Sequence, residues 1–291
     1  MTSRRRSYMT AFALLAPFLA GLIIFRILPL IGAVNTSFYE YNLLSDSKTF
    51  VGLRNYVRAL RQDPSFIKSL GTTLLFVLMK VPFQLAFGLG LAMLLRQNLR
   101  GVPFFRSLVF IPTVTSMVVV SVVWNLMFDP GHGILNSILA MFGATPQRFL
   151  LDPSQALASV TWVTIWKDVG LTMVIFLAGL KSIPRMYYEA ATIDGASSLQ
   201  QFIWVTLPLL KNTVVYLLIV TTTSAFQVFT PIYVMTEGGP MSSTKVVVYS
   251  IFEAAFVYMD AGYASALSVI LLFIILAVSL VQFRVMRTES M

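Results

Sequence analysis

Few residues in this chain of 291 could carry out covalent chemistry. It has no cysteine, which removes thiolate nucleophiles, thiolate metal sites and disulfides. His132 is the sole histidine, so a histidine metal cluster is impossible and triad chemistry has almost no basis. Between Asp129-Pro130-Gly131 and Gly133 it reads as a solvated turn residue. No Gly-x-x-x-x-Gly-Lys-Ser/Thr loop occurs, so the chain cannot itself cradle ATP phosphates. No catalytic, cofactor or metal site is expected. Recognition chemistry remains, and three places offer it.

The first is Lys167-Asp168 with Trp162 and Trp166. Neighbouring helix residues diverge by about 100°, so the two charges should not form a tight pair with each other. Rings beside polar groups suit a polyol, whose C–H faces stack while its hydroxyls need partners. An inter-helix bond that fixes a bundle explains the same residues as well. The second is the band Thr221, Thr222, Thr223, Ser224 and Gln227 in an apolar stretch. Each hydroxyl alone can bond back to its own helix, but the clustering suggests a cavity-lining face. The third runs from Glu189-Ala190-Ala191-Thr192-Ile193-Asp194-Gly195 to Val205-Thr206-Leu207-Pro208. It is polar and broken, between two stretches too apolar to be anything but membrane.

The elements that hold these residues follow from hydropathy. The chain is 57% hydrophobic and 11% charged, where a soluble domain has about a quarter charged. An all-α, polytopic membrane protein is expected. A span needs about 20 mostly apolar residues to cross ~30 Å of hydrocarbon, and six stretches qualify: Phe12–Val34, Leu70–Leu95, Leu108–Phe128, Ala156–Leu180, Thr213–Met235 and Tyr263–Val285. The first follows Arg4-Arg5-Arg6 but lacks a small-residue cleavage site and is too long for a leader, so it reads as an anchor.

The organisation is then a cytoplasmic tail over 1–11, a first span over 12–34 and an outer loop over 35–69. A core membrane domain over 70–285 holds five spans and the inner segment 181–212, and a cytoplasmic tail covers 286–291. Putting the N-terminus inside places eleven cations there: Arg4, Arg5, Arg6, Arg96, Arg100, Arg106, Lys181, Arg185, Lys211, Arg284 and Arg287. Seven fall outside, together with most of the acids, so both termini are expected in the cytoplasm. The net charge of +9 then reflects loops beside anionic lipid rather than nucleic acid. Within the spans, Arg26 and Lys80 read as snorkelling or bonded to backbone, Lys80 near a carbonyl that Pro82 would free. The outer loop is expected to be partly helical near Leu53–Leu60, and Tyr249–Tyr258 is too short to span.

Locally, the inner segment predicts two short helices. Pro184 suits a first turn, Asp194-Gly195 supplies the break, and Ser198 with Gln201 matches a capping box. Ala190, Ala191 and Ala196 leave a low surface that a partner could approach closely, with Glu189 free to bond a donor on it. An interfacial amphipathic helix, or a loop folded on its own bundle, would also account for these residues.

The spacing Glu-Ala-Ala, three residues, Gly, nine residues, an aliphatic residue, one residue, Leu-Pro resembles the signature of permease subunits of binding-protein-dependent ABC importers. Every position matches, with Val205 where isoleucine is commoner. Lys181-Ser182-Ile183-Pro184, Ile193-Asp194-Gly195-Ala196 and Gly238-Gly239-Pro240 agree. Phe50-Val51-Gly52-Leu53-Arg54-Asn55-Tyr56 and Gly262-Tyr263-Ala264-Ser265-Ala266-Leu267 are similar to the carbohydrate-uptake branch, in particular to the first permease of maltose-type systems.

The resemblance covers about residues 10–285 and implies a type I importer permease in a bacterial or archaeal inner membrane. Its implied partners are a homologous second permease forming a heterodimer, two ATP-binding subunits, an extracytoplasmic solute-binding protein and membrane lipid, with no nucleic acid. ATP and Mg would be held by the partner ATPase and no cofactor by this chain. Glu189, Ala190, Ala191, Asp194, Gly195, Val205, Leu207 and Pro208 would couple to that ATPase. The sugar path would fall near Trp166, Asp168 and Leu171 and near Thr221, Ser224, Ala225 and Val228, to which the polar band adds Gln227. Asp168, where a glycine can occur, and Ala225, where an amide can, leave the cargo open. Lys167 follows Trp166 in many relatives whatever the substrate, which favours a structural role.

The expected function is thus a non-catalytic, ATP-driven sugar permease subunit. An alternative is the same importer class carrying glycerol phosphate or glycerophosphodiesters. An ion-coupled secondary carrier would favour inverted repeats and buried acids, whereas only Asp168 is available and no repeat is visible.

Overall fold

A computed structural model describes residues 12, 14–45, 47–97 and 100–288, the last three by backbone alone. The N-terminal arginines, Asp46 and Glu289 lie outside these residues. Among the described residues four helices are long and apolar enough to cross a membrane: α1 (Leu14–Thr36), α3 (Pro64–Leu94), α7 (Ala156–Ser182) and α13 (Ala261–Thr288). Two bent pairs bring the number to as many as six when each is counted as one span by length and composition. These are α4 (Val102–Val114) with α5 (Met117–Met127), bent by 99°, and α9 (Ser198–Leu209) with α10 (Lys211–Phe226), bent by 67°. The chain divides into two compact units.

The first unit comprises residues 1–67 and 250–273. Besides α1 it holds a hairpin, β1 (Tyr39–Asn42) paired antiparallel with β2 (Ser47–Phe50), Tyr39 opposite Phe50. Helix α2 (Arg54–Val57) follows and widens into a π-helical stretch over Arg58–Gln62. A hairpin was not anticipated, because Tyr39–Asn42 and Ser47–Phe50 are too short and polar to stand out as strands. Asn55 is buried and ties α2 to the hairpin's entry by donating to the carbonyls of Ser37 (3.0 Å) and Tyr39 (2.9 Å). The start of α13 joins the same cluster. Tyr263 donates to Asp63 at 2.7 Å, Arg58 pairs with Asp260 at 2.8 Å, and the Arg58 guanidinium lies 4.0 Å from the centre of the Tyr263 ring. Ionised donors, acceptors and a ring face thus satisfy one another.

The second unit comprises residues 68–249 and 274–291, with its core between α3, α7 and α10. Ala92, Met173, Phe176, Leu177, Leu180, Ile183, Leu210 and Leu217 are all buried there. Helix α7 is central because small residues let its neighbours close in. A Cβ on Gly170 would collide with the Val109 carbonyl of α4, and one on Gly179 with Thr213 of α10. Such close approach is how membrane helices gain packing energy where hydrocarbon supplies none. Helix α11 (Thr230–Met235) packs on α5, α6 (Ile134–Met141) follows the α5 turn, and α12 (Val247–Val257) stays too short to span.

Three spans differ from the sequence expectation. The second starts at Pro64 rather than Leu70, because Asp63 accepts the Phe66 amide (3.0 Å) and so caps an earlier start. The third folds at Thr115-Ser116, just after Pro112, where both residues take extended ψ values of 142° and 134°. The fifth stops at Phe226 and resumes at Thr230, with Pro231 in the first turn of α11. Apolar runs report length but not direction, so bends inside them escaped the reading.

Candidate functional site

Helix α8 (Arg185–Ile193) and helix α9 form an exposed hairpin. Pro184 is its N-cap (ψ 137°), since a proline's fixed φ and missing N–H suit a helix start. The turn closes on Gly195, whose φ of +78° is a left-handed conformation that side chains resist. Ala196 N donates to Ala191 O at 2.9 Å and Gly195 N to Thr192 O at 3.1 Å, the paired bonds of a Schellman ending.

The capping box lies one residue earlier than expected. Ser197 accepts the Gln200 amide, and the Gln200 side chain accepts the Ser197 amide at 2.7 Å. Ser197 and Ser198 are adjacent, and each has a glutamine three residues on, so spacing alone could not choose between them. Gln201 is used differently: it donates to Thr192 Oγ1 (3.0 Å) and Ala196 O (3.2 Å), stapling α9 to α8. At the root, Tyr188 packs on the core cluster and its hydroxyl pairs with Thr206 Oγ1 at 3.0 Å. The hairpin is therefore stapled within itself and anchored in the α3–α7–α10 core.

Glu189, Ala190, Asp194, Gly195, Leu207 and Pro208 are exposed, and Ala191 and Val205 are half-buried. Ile193 is 86% exposed, and Met186 and Leu199 are each 66% exposed. Glu189 and Asp194 have no ion pair among the described residues. Apolar side chains beside two open carboxylates are thus left exposed by their own chain.

The proposed path residues divide by environment. On α7, Trp166 and Leu171 are exposed while Asp168 is partly buried. Asp168 accepts from Lys80 of α3 at 2.8 Å, and one turn on Gln84 donates to Thr172 Oγ1 at 2.9 Å. Lys80 is only 4% exposed, so it neither snorkels nor bonds backbone as expected. A charge at membrane depth is costly, and pairing with the one acid inside the spans relieves both. That lone acid was the signal from which the pair could have been read. Lys167 donates to Thr113 O at 3.2 Å and lies 3.6 Å from Asp168 Oδ1, which fits the structural role preferred for it. Gln84 Oε1 is buried and has no hydrogen bond among the described residues.

On α10, Ser224 is exposed, while Thr221, Thr222 and Ala225 are buried. Just past its end Gln227 is exposed and Val228 is buried. The Thr221 hydroxyl is used by Leu217 O of its own helix (2.6 Å), and Thr222 accepts from Gln282 of α13 at 3.0 Å. Trp166 also lines an apolar cleft of about 590 Å³ in the fold of the third span, with Pro112, Thr115, Val119 and Trp124. Its ring meets Trp124 edge-on at 5.4 Å. Trp124 was missed by the sequence reading, since an aromatic in an apolar run carries no signal of its own.

Residues 84–288 match the family described as binding-protein-dependent transport system inner membrane component. The trehalose/maltose transport system permease protein MalF of Thermococcus litoralis is 35% identical over 279 residues, 95% of this chain and 93% of that protein. The sn-glycerol-3-phosphate transport system permease protein UgpA of Escherichia coli O157:H7 is 33% identical over 285 residues, 98% and 96% of the two chains. Among solved structures, a chain of a bacterial ABC transporter involved in the import of the acidic polysaccharide alginate superposes with a TM-score of 0.85. It is 23% identical, and the match covers 98% of this chain and 96% of that one. That likeness carries the fold.

Proposed function

The chain belongs to the binding-protein-dependent transport system inner membrane components, and from that premise we propose that it carries a carbohydrate as one half of an ATP-driven import pathway. It is a transport subunit of the inner membrane. The carbohydrate cargo is supported by the likeness to the trehalose/maltose permease and by the exposed Trp166 face beside Asp168. The observation that carries the coupling reading is the stapled, exposed hairpin with Glu189, Ala190 and Ala191 on α8 and Gly195 at its turn.

In this reading a second permease completes the path, two ATPase subunits grip the hairpins, and a solute-binding protein delivers cargo from outside. Both termini lie in the cytoplasm. ATP and Mg bind the ATPases alone. Closure of the motors draws the two hairpins together as levers and switches the cavity between inward- and outward-facing, a rigid-body transition. The lever can transmit force because Tyr188 and Thr206 tie it to the core.

The test is uptake of labelled sugar in cells carrying Glu189→Ala or Gly195→Asp. Uptake is expected to be abolished at unchanged membrane levels, and the ATPase to be lost on purification. Normal uptake in both variants sinks the docking role. The likeness to the glycerol-3-phosphate permease supports a second cargo reading. Titrating the partner solute-binding protein with maltose, trehalose and glycerol 3-phosphate decides between the two.

A further inference from the structure

We infer that a notch at the root of the hairpin binds a phosphate-bearing anion, the headgroup of an acidic phospholipid at the inner surface. The notch has a volume of about 770 Å³. Three cations line it from three separate elements: Arg96 just past α3, Lys181 in the last turn of α7, and Arg185 opening α8. None has an ion pair among the described residues. The floor is apolar, with Leu180 and Ile183 buried in the core cluster. The Arg96 guanidinium lies 5.7 Å from the centre of the Tyr188 ring, which leaves its N–H groups available.

A fourth positive feature is backbone. The nine-residue α8 has no side-chain cap at Pro184 and no acid in its first turn, so its positive end is uncompensated. Glu189 also lines the notch and offsets one charge, leaving a net excess of two cations. Scattered surface lysines are ordinarily just solvated. Here, cations from three elements converge over an apolar floor beside an open helix start, which matches a headgroup's two-part chemistry. The level also fits: Phe104, Phe105, Tyr187 and Trp204 on adjoining segments are exposed aromatics of the kind that settle among headgroups. Nearby, Arg106 reaches the Leu95 carbonyl at 3.0 Å and holds the α3 end beside this layer. A bound phosphodiester would bridge the ends of α3 and α7 to the lever, so lipid charge would set how firmly the lever is held.

The inference rests on the hairpin facing the cytoplasm, but its test does not need transport. The full chain, purified in neutral detergent, is titrated with short-chain phosphatidylglycerol, short-chain phosphatidylcholine and inorganic phosphate, followed by tryptophan fluorescence. Phosphatidylglycerol is expected to bind saturably and at least tenfold more tightly than phosphatidylcholine. The Arg96→Gln/Lys181→Gln/Arg185→Gln variant should lose tenfold or more, and Lys181→Arg should retain the affinity. Should the triple variant not fold, Arg185→Gln alone is expected to lose several-fold.

Equal affinity for both lipids, or unchanged affinity in the neutralised variants, overturns the inference. Inorganic phosphate binding with the same variant dependence while phosphatidylglycerol does not compete reassigns the notch to free phosphate and overturns the lipid source. Gly195→Asp, which disables coupling in the reading above, should leave phosphatidylglycerol binding unchanged. Failure of coupling and failure of the lipid site therefore give different results.

Discussion

The α8–α9 hairpin and the polar pairs of α3 and α7 are both islands of polarity in an apolar chain, yet they are resolved in opposite ways. Between α3 and α7, Lys80 meets Asp168 and Gln84 meets Thr172, each within 2.9 Å. In the hairpin the turn backbone and the glutamines are satisfied internally, while Glu189, Asp194 and the apolar Ile193 are left open. Polar residues that close on each other hold a bundle. Polar residues stapled in place and open leave their surface exposed. The difference lies in the stapling, which fixes a surface without using it.

The sharpest way to break the contrast is at the helix contact beneath the inner pairs. Gly170→Leu forces a side chain into the α4 backbone, and the protein should fail to fold, seen as loss of the monodisperse peak on size exclusion. Next comes Asp168→Ala, which leaves Lys80 buried without its carboxylate partner. Removing one partner of a buried pair costs about 3–5 kcal/mol, and exposure of Asp168 should bring the loss to the lower end. Thermal melting in detergent would read it. The double variant Lys80→Leu/Asp168→Leu should regain most of that stability. If it regains uptake too, Asp168 is structural. If uptake stays lost, the carboxylate meets cargo.

In the hairpin, by contrast, changes should damage coupling before stability. Gly195→Ala puts a Cβ at a φ of +78°, costing about 1–2 kcal/mol locally. Its melting temperature should barely move while uptake falls several-fold. Ser197→Ala removes an N-cap worth about 1 kcal/mol and should give the smallest deficit, seen as faster amide exchange across 197–201.

Much of this was legible from residue order. The break at Asp194-Gly195 and the places of the apolar stretches follow from residue order, because turn chemistry and hydropathy are local properties, although three spans start, bend or stop elsewhere than expected. What was not legible depended on distance along the chain. Lys80 and Asp168 are 88 residues apart, and neither run announces the other. The hydroxyls of the Thr221–Ser224 band look alike in sequence, yet Thr221 and Thr222 are used up by Leu217 O and Gln282, while Ser224 stays exposed. Helix phase decides that, and phase is lost where a span is broken. The capping box slipped by one residue because two adjacent serines offered equal spacing.

The fold in the third span bears on how the chain is made. Its arms have 13 and 11 residues, and at about 1.5 Å per residue they reach roughly 20 Å and 17 Å. Neither crosses ~30 Å of hydrocarbon alone. A hydropathy window that identifies a span is about 19 residues long, so the two arms read as one apolar segment. The groove at Gly170 that receives α4 is supplied by α7, which follows both arms along the chain. Nascent chains stalled before residue 156 should therefore hold this span straight.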